Sequence, residues 1–279
     1  MNQSTNYDVM NITFIGGGNM ASALISGLLQ QGFAAQQLYV VEINVENCEK
    51  LKLEFGILAT NDLAEGVAKS DVVLLSVKPQ QLHDLTQDLM PLLKDQLLIS
   101  IAAGIRVSDI MRWLGGYERV VRAMPNTPSL VRSGVTGLYA ASSVNELNRK
   151  NAESILAAVG STLWVVEEEM LHAVTAISGS GPAYIFYFIE SLQQAGIELG
   201  LTPVQARQLS LQTFLGAGKL ASLSEEDVIT LRARVTSKGG TTERAIQAME
   251  KSDIKHKIIA AIRAASDRSY EMSDEFGRR

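Results

Sequence analysis

The chain has 279 residues, of which 46% are hydrophobic and 20% charged, with a formal net charge of −5. This is the balance of an ordinary globular protein, long enough for one large domain or two of common size. No strongly basic segment points to nucleic acid, and Cys48, the one cysteine, excludes an intrachain disulfide and a cysteine-rich zinc site.

Residues 1–10 are polar and lack the basic-then-apolar order of a signal peptide, and no apolar run is long enough to span a bilayer. The expected compartment is the cytoplasm. Residues 11–15 read as a short apolar strand, and residues 19–31 as a helix that stops at Gly32. A strand over 38–43 and a helix over 45–55 follow. Residues 71–77, DVVLLSV, form an unbroken apolar run of the kind buried on both faces of a parallel sheet. Strands at 97–102 and 119–123 flank a helix at 108–114. Strands alternating with helices predict a doubly wound α/β domain.

The pattern changes after Trp164. No later strand is evident, and helical periodicity runs over 183–200, 203–223, 225–234, 242–251 and 254–272. Thr202 before Pro203 is a helix start, and Ser224 followed by Asp227 resembles a capping box. The predicted fold class is therefore α/β: a Rossmann-type doubly wound sheet over residues 1–165, then an all-α domain over 166–279. Apolar faces on the first two of these helices (Ile185, Phe186, Ile189 and Leu192; Leu209, Phe214 and Leu215) pack either within the chain or against a second subunit, and a dimer is expected.

Gly16-Gly17-Gly18-Asn19-Met20-Ala21 follows a strand and opens a helix, matching G-x-G-x-x-A. In that pattern Gly16 makes the tight turn, Gly18 admits a pyrophosphate to the backbone, and Ala21 allows close helix packing. Glu42 ends the second strand, where a carboxylate accepts hydrogen bonds from ribose hydroxyls and repels a 2′-phosphate. No Lys or Arg lies between residues 38 and 49 to clamp such a phosphate, so the chemistry leans to NADH over NADPH unless Glu42 simply faces solvent. Ser76-Val77-Lys78-Pro79 and Ile101-Ala102-Ala103-Gly104 end buried strands, where ligands bind in such sheets. Small residues in the second segment admit a nicotinamide ring, or serve tight helix–sheet packing. Asn126, in Met124-Pro125-Asn126-Thr127-Pro128, orients a ligand group or makes a turn.

In the helical half, Gly239-Gly240-Thr241-Thr242 precedes a helical pattern. Two glycines and two hydroxyls at a helix start suit an anionic group, although hydroxyls there also cap helices.

Six segments carry a family resemblance: FIGGGNM, SVKPQ, SIAAG, RAMPNTP, SGSGPAY and VTSKGGTTERAI, spread over nearly the whole chain. The chain resembles the pyrroline-5-carboxylate reductases. The resemblance implies an N-terminal Rossmann domain, a C-terminal dimerisation domain, and homodimers that assemble further into decamers. It implies hydride transfer from NADPH or NADH to the C=N carbon of 1-pyrroline-5-carboxylate, giving L-proline. By match to the family motifs, Gly240 and Thr241 supply N–H groups to the substrate carboxylate, and Thr242 bonds the ring nitrogen. Glu225 stands near the substrate ammonium, or else is a first-turn acid beside a helix dipole. The implied cofactor contacts are Ile15, Gly16, Gly17, Gly18, Asn19, Met20, Glu42, Asn61, Ser76, Val77, Lys78, Pro79, Ile101, Ala102 and Ala103. Many members prefer NADPH and carry a small, neutral or basic residue in place of Glu42. No metal is implied: His83, His172 and His256 show no ligand spacing.

Two other readings compete. A β-hydroxyacid dehydrogenase needs a catalytic lysine in the helical domain, where Lys219 and Lys238 are the middle lysines and Lys238 sits in the wrong motif. A non-catalytic dinucleotide sensor would have a broken glycine–threonine turn, which here is intact.

Overall fold

The computed structural model describes residues 10–278. The chain forms two compact units: one comprises the residues up to Ser180 and those from Ala265 on, the other Gly181–Ala264.

The first unit is built on an eight-stranded sheet in the order β3-β2-β1-β4-β5-β6-β7-β8. The strands are β1 (Ile12–Ile15), β2 (Leu38–Val41), β3 (Leu58–Thr60), β4 (Val72–Leu75), β5 (Leu97–Ser100), β6 (Val120–Met124), β7 (Gly134–Ala140) and β8 (Gly160–Trp164). From β3 to β6 all neighbours are parallel, with Ile12 registered against both Leu38 and Val72. β7 runs antiparallel to β6, Val121 opposite Ala140, and β8 is parallel to β7. Strands β1, β4 and β5 are buried at every residue, as an apolar strand covered on both faces must be.

Helices α1 (Asn19–Gln30), α2 (Val45–Phe55), α3 (Leu63–Val67), α4 (Pro79–Leu89), α5 (Val107–Trp113), α6 (Glu146–Ala157) and α7 (Met170–Val174) complete this unit with part of the last helix. α2 shows why the local sequence stops and starts where it does. Asn44 caps it by accepting from the N–H of Asn47 at 2.9 Å, and Gly56 ends it at φ 67°.

Several elements depart from the pattern expected of the sequence. The strand expected over 71–77 ends at Leu75, because Ser76 Oγ turns back to donate to the carbonyls of Ile15 (2.9 Å) and Gly16 (2.6 Å). β7 carries two glycines, which dilute its strand signal. Both are there for close approach: a Cβ on Gly137 would stand 2.7 Å from Val174 Cγ1, and one on Gly134 would collide with Ser129 Oγ. β3 and β8 are also additions to the expected set, β3 three residues long and β8 alternating rather than continuously apolar.

The second unit holds α8 (Gly181–Glu198), α9 (Pro203–Leu223), α10 (Val228–Arg234), α11 (Thr241–Lys251) and the start of α12 (Ile254–Gly277). α9 begins as expected at Thr202, which forms a full capping box with Gln205. The box expected at Ser224 does not form. Ser224 Oγ accepts from the N–H of Glu226, and α10 starts only at Val228, with Asp227 as the cap accepting from Thr230 N at 2.7 Å. Close packing of α8 on α9 uses Gly196, whose Cβ would stand 3.1 Å from that of Ala206. Much of the apolar face is left open: Phe186 is 66% exposed and Leu215 65%.

The C-terminal end of α12 is tied to the sheet unit by polar contacts. Arg106 Nη2 donates to Asp274 at 2.5 Å and Arg112 Nη2 to the Gly277 carbonyl at 2.6 Å. His172, 2% exposed, shares a hydrogen bond with Ser269 Oγ at 2.8 Å, and its ring lies 3.8 Å from that of Tyr270. Burial, then the charges of Arg122 and Arg106, push its pKa from the ordinary 6.5 down to about 4. An unfolded chain therefore takes up this proton first. The stabilisation is complete above pH 6.5 and is lost as pH falls toward about 4. In thermal melts across that range, His172→Gln is expected to be less stable at neutral pH and to lose less stability on acidification. An equal slope for both proteins would refute the assignment.

Candidate functional site

In the first unit a cavity of about 540 Å³ opens beyond the carboxyl ends of β1, β2 and β4. This is the place where the parallel order reverses direction around β1, the usual ligand crevice of such sheets. Ile15, Gly16, Gly17, Gly18, Glu42, Asn61, Ser76, Val77 and Lys78 all line it.

Each glycine of the loop is there for a different reason. Gly16 has φ +98°, and a Cβ on it would stand 3.0 Å from the Ser76 carbonyl oxygen. Gly17 faces the second strand and its helix: a Cβ would stand 2.5 Å from Leu51 Cδ1 and 3.1 Å from Asn47 Nδ2. Gly18 is the opposite case, with no protein atom within 4 Å of its Cβ position. It is also the N-cap of α1, which has no side-chain cap and no acid in its first turn. Space beside a helix N-terminus whose N–H groups no side chain caps is what a bound pyrophosphate requires. Ala21 is fully buried, as the motif needs.

Glu42 does not simply face solvent. Its Oε2 accepts from Gly17 N and from Asn47 Nδ2, both at 3.0 Å, and its Oε1 accepts from Asn44 N at 2.9 Å. Burial pushes its pKa up, but the bonds from Asn44, Asn47 and Gly17 outweigh it and hold the carboxyl below the usual range. It is anionic at neutral pH.

Other expected cofactor residues lie off the cavity wall. Asn19 and Met20 form the first turn of α1, and Pro79 is the first residue of α4, with Lys78 as N-cap. Ile101, Ala102 and Ala103 follow β5; the N–H of Ile101 bonds the Leu75 carbonyl at 3.2 Å, which sets this segment beside the strand leading to Ser76. Asn47, Gln81, Leu85 and Asp88 are additions: Asn47 by its bonds to the loop, the others as cavity lining. No periodicity marks them, since they lie on the first turn of α2 and along α4. Asn126 proves to be a brace: its Oδ1 accepts from Val135 N at 2.9 Å and its Nδ2 donates to the Ser178 carbonyl at 3.1 Å.

In the second unit, Gly239 has φ +75° and its N–H donates to Glu243 at 2.8 Å. Gly240 is the N-cap of α11, without a side-chain cap, and Thr241 and Thr242 are its first two residues. The threonines therefore do not act as the helix cap. A Cβ on Gly240 would stand 2.7 Å from Ser237 Oγ and 3.1 Å from the Ser237 carbonyl oxygen, so a larger residue there would have to displace the serine hydroxyl. Glu225 is exposed in the link between α9 and α10 and is not a first-turn acid, because α10 begins at Val228. Replacing Gly18 with Val is expected to leave the melting temperature unchanged while weakening dinucleotide binding at least tenfold by fluorescence titration; equal affinity would remove the pyrophosphate from this loop.

Residues 168–272 match the family model for pyrroline-5-carboxylate reductase dimerisation, and residues 11–104 match that for coenzyme F420-dependent NADP oxidoreductases. The chain is 46% identical to a pyrroline-5-carboxylate reductase of Pseudomonas aeruginosa, covering 96% of this chain and 98% of the relative. With that of Haemophilus influenzae it is 41% identical, over 95% and 98%. Among solved structures, a pyrroline-5-carboxylate reductase from Coxiella burnetii superposes with a TM-score of 0.91 at 43% identity, covering 95% of this chain and 99% of that one. That of Plasmodium falciparum, with NADP bound, gives 0.85 at 29% identity over 95% and 98%. A prephenate dehydrogenase of Aquifex aeolicus, 20% identical with a TM-score of 0.53, shares only the fold. With the glycine loop, the carboxylate after β2 and the Gly239-Gly240 turn all in place, and relatives matched from end to end, the chain belongs to the pyrroline-5-carboxylate reductase family.

Proposed function

We propose that this protein reduces the C=N bond of 1-pyrroline-5-carboxylate with NADPH or NADH, giving L-proline in the last step of proline biosynthesis. The match over 96% of the chain to a reductase of that name carries the reading. The cofactor cradle at Gly18 and the uncapped helix start at Gly240 support it.

The reaction asks little covalent work of the protein. When bound, the nicotinamide would supply the hydride for the imine carbon, the C=N electron pair passing to nitrogen, which would end as the ring amine. A protonated imine is already electrophilic, so the chain's contribution is placement and charge complementarity. In our reading the N–H groups of Gly240 and Thr241, at the start of α11, hold the substrate carboxylate. The Thr242 hydroxyl bonds the ring nitrogen, and Glu225 balances its positive charge. Gly16, Gly17, Gly18, Asn19 and Met20 take the pyrophosphate. Glu42 and Asn61 lie at the adenosine end, and Ser76, Val77, Lys78, Pro79 and Ile101–Ala103 border the nicotinamide end. Glu42 favours NADH, since an anion fixed beside the ribose opposes a 2′-phosphate.

Residues 1–165 are the cofactor domain in this assignment, and residues 166–279 the substrate and dimerisation domain. The open apolar residues of α8 and α9, with the dimerisation model matched over 168–272, support a homodimer, and the family resemblance extends this to a decamer. No helix among the described residues is long and apolar enough to cross a membrane, and we place the enzyme in the cytoplasm.

Loss of 340 nm absorbance with pyrroline-5-carboxylate is expected with both cofactors and faster, as kcat/KM, with NADH. No turnover with either would overturn the function, and a strong NADPH preference would overturn the role of Glu42. Thr242→Val removes one hydrogen bond to a charged group. It is expected to lower kcat/KM roughly 10- to 100-fold at unchanged melting temperature, and an unchanged kcat/KM would strip Thr242 of its role.

A further inference from the structure

Glu42 is usually weighed as a charge, yet its hydrogen bonds make it also an occupant. Three donors converge on its two oxygens: Gly17 N–H, Asn44 N–H and the Asn47 amide. Asn47 is the pivot of this arrangement. It sits in the first turn of α2, its own N–H is held by Asn44 Oδ1 at 2.9 Å, and its side-chain nitrogen donates both to Glu42 and to the Gly17 carbonyl at 3.1 Å. Both amide hydrogens are thereby used, and the reversed amide would set its oxygen against two acceptors. The orientation of Asn47 is thus fixed by the loop itself. These are the donor types that hold phosphate oxygens, and they converge on Glu42, which with Gly17 lines the cavity.

We propose that Asn47 is a further specificity-determining residue of this site, acting through the donors it shares with Gly17 and Asn44. With Glu42 in place, the carboxylate occupies those donors and a 2′-phosphate finds both repulsion and no free partner. With the carboxylate removed, the same groups are left to donate to the oxygens of a 2′-phosphate, and no added Lys or Arg is required. Cofactor choice in this chain is then set by whether an internal anion fills the donor set. The inference deepens the proposed reading of Glu42 as the residue that favours NADH, and rests on the assignment of this cavity to the adenosine end.

The test uses adenosine 2′,5′-bisphosphate and 5′-AMP, which differ only in the 2′-phosphate. Binding of each is measured by calorimetry to the full-length wild type, Glu42→Ala, and Glu42→Ala combined with Asn47→Leu. Glu42→Ala is expected to raise the affinity for the bisphosphate relative to 5′-AMP at least tenfold, and Asn47→Leu to remove most of that gain while 5′-AMP affinity stays within about threefold. The proposal is overturned if Glu42→Ala gains nothing, if Asn47→Leu leaves the gain intact, or if Asn47→Leu weakens 5′-AMP as much as the bisphosphate, which marks a merely structural role. Wild-type turnover with NADH against NADPH tests the underlying reading separately. A wild type that prefers NADPH would sink the role of Glu42, while the double variant still decides that of Asn47.

Discussion

The approach of one backbone to another at Gly16 is the constraint on which the crevice beyond β1, β2 and β4 depends. β1 sits between β2 and β4, and the chain leaving it must turn into α1 directly beside the chain leaving β4. Gly16 makes that turn at φ +98° with no room for a side chain against Ser76. Ser76 answers by donating its hydroxyl to the carbonyls of both Ile15 and Gly16. The two strand ends are locked together, and the start of α1 stands beside the crevice that Gly16, Gly17 and Gly18 line. Gly17 then brings the third neighbour in, through Glu42 and Asn47.

A second anchor lies at the opposite side of β4. Arg122 on β6, with its side chain 3% exposed, pairs with Glu168 at 2.8 Å, and the same carboxylate oxygen accepts from the N–H of Val107 at the start of α5. A buried pair of this kind adds little net stability over an apolar substitute of the same shape, while losing one partner is costly. What it supplies here is registry: β6, α5 and the segment before α7 are held to one point. The last turns of α12 press on the same region, where Met272 Cβ would lie 3.1 Å from a Cβ on Gly104.

The sequence makes the parallel core legible because its strands are unbroken apolar runs, while α3 and α6 go unread although Asp62 and Asn145 cap them. It hides β7, because Gly134 and Gly137 serve close approach and not strand propensity. It misplaces the start of α10, because Ser224 with Asp227 three residues on reads as a capping box, whereas Asp227 is itself the cap and accepts from the N–H of Thr230. Glycine spacing and the position of Glu42 pick out residues that do line one cavity, since both follow from chain geometry one or two residues away. The partners of Glu42 do not show in the sequence: Gly17 lies 25 residues back and meets Glu42 only through the pairing of β1 with β2. The sequence around Asn126 allows a ligand-orienting amide or a turn and shows neither of its partners, the N–H of Val135 and the carbonyl of Ser178.

The helix N-termini differ in how their first N–H groups are satisfied. α2, α3, α6, α9 and α10 satisfy their first N–H groups internally, through Asn44, Asp62, Asn145, Thr202 and Asp227. α5 has no cap of its own and borrows the Glu168 carboxylate. α4 begins with proline, which has no N–H to satisfy. α1 and α11 are different: each starts from a glycine in extended conformation, Gly18 and Gly240, with no side-chain cap. A helix start that leaves its donors uncapped costs stability unless water or an anion takes them. Among the described helices, α1 and α11 both begin in this way, one in each unit, and each leaves donors that suit an anionic group.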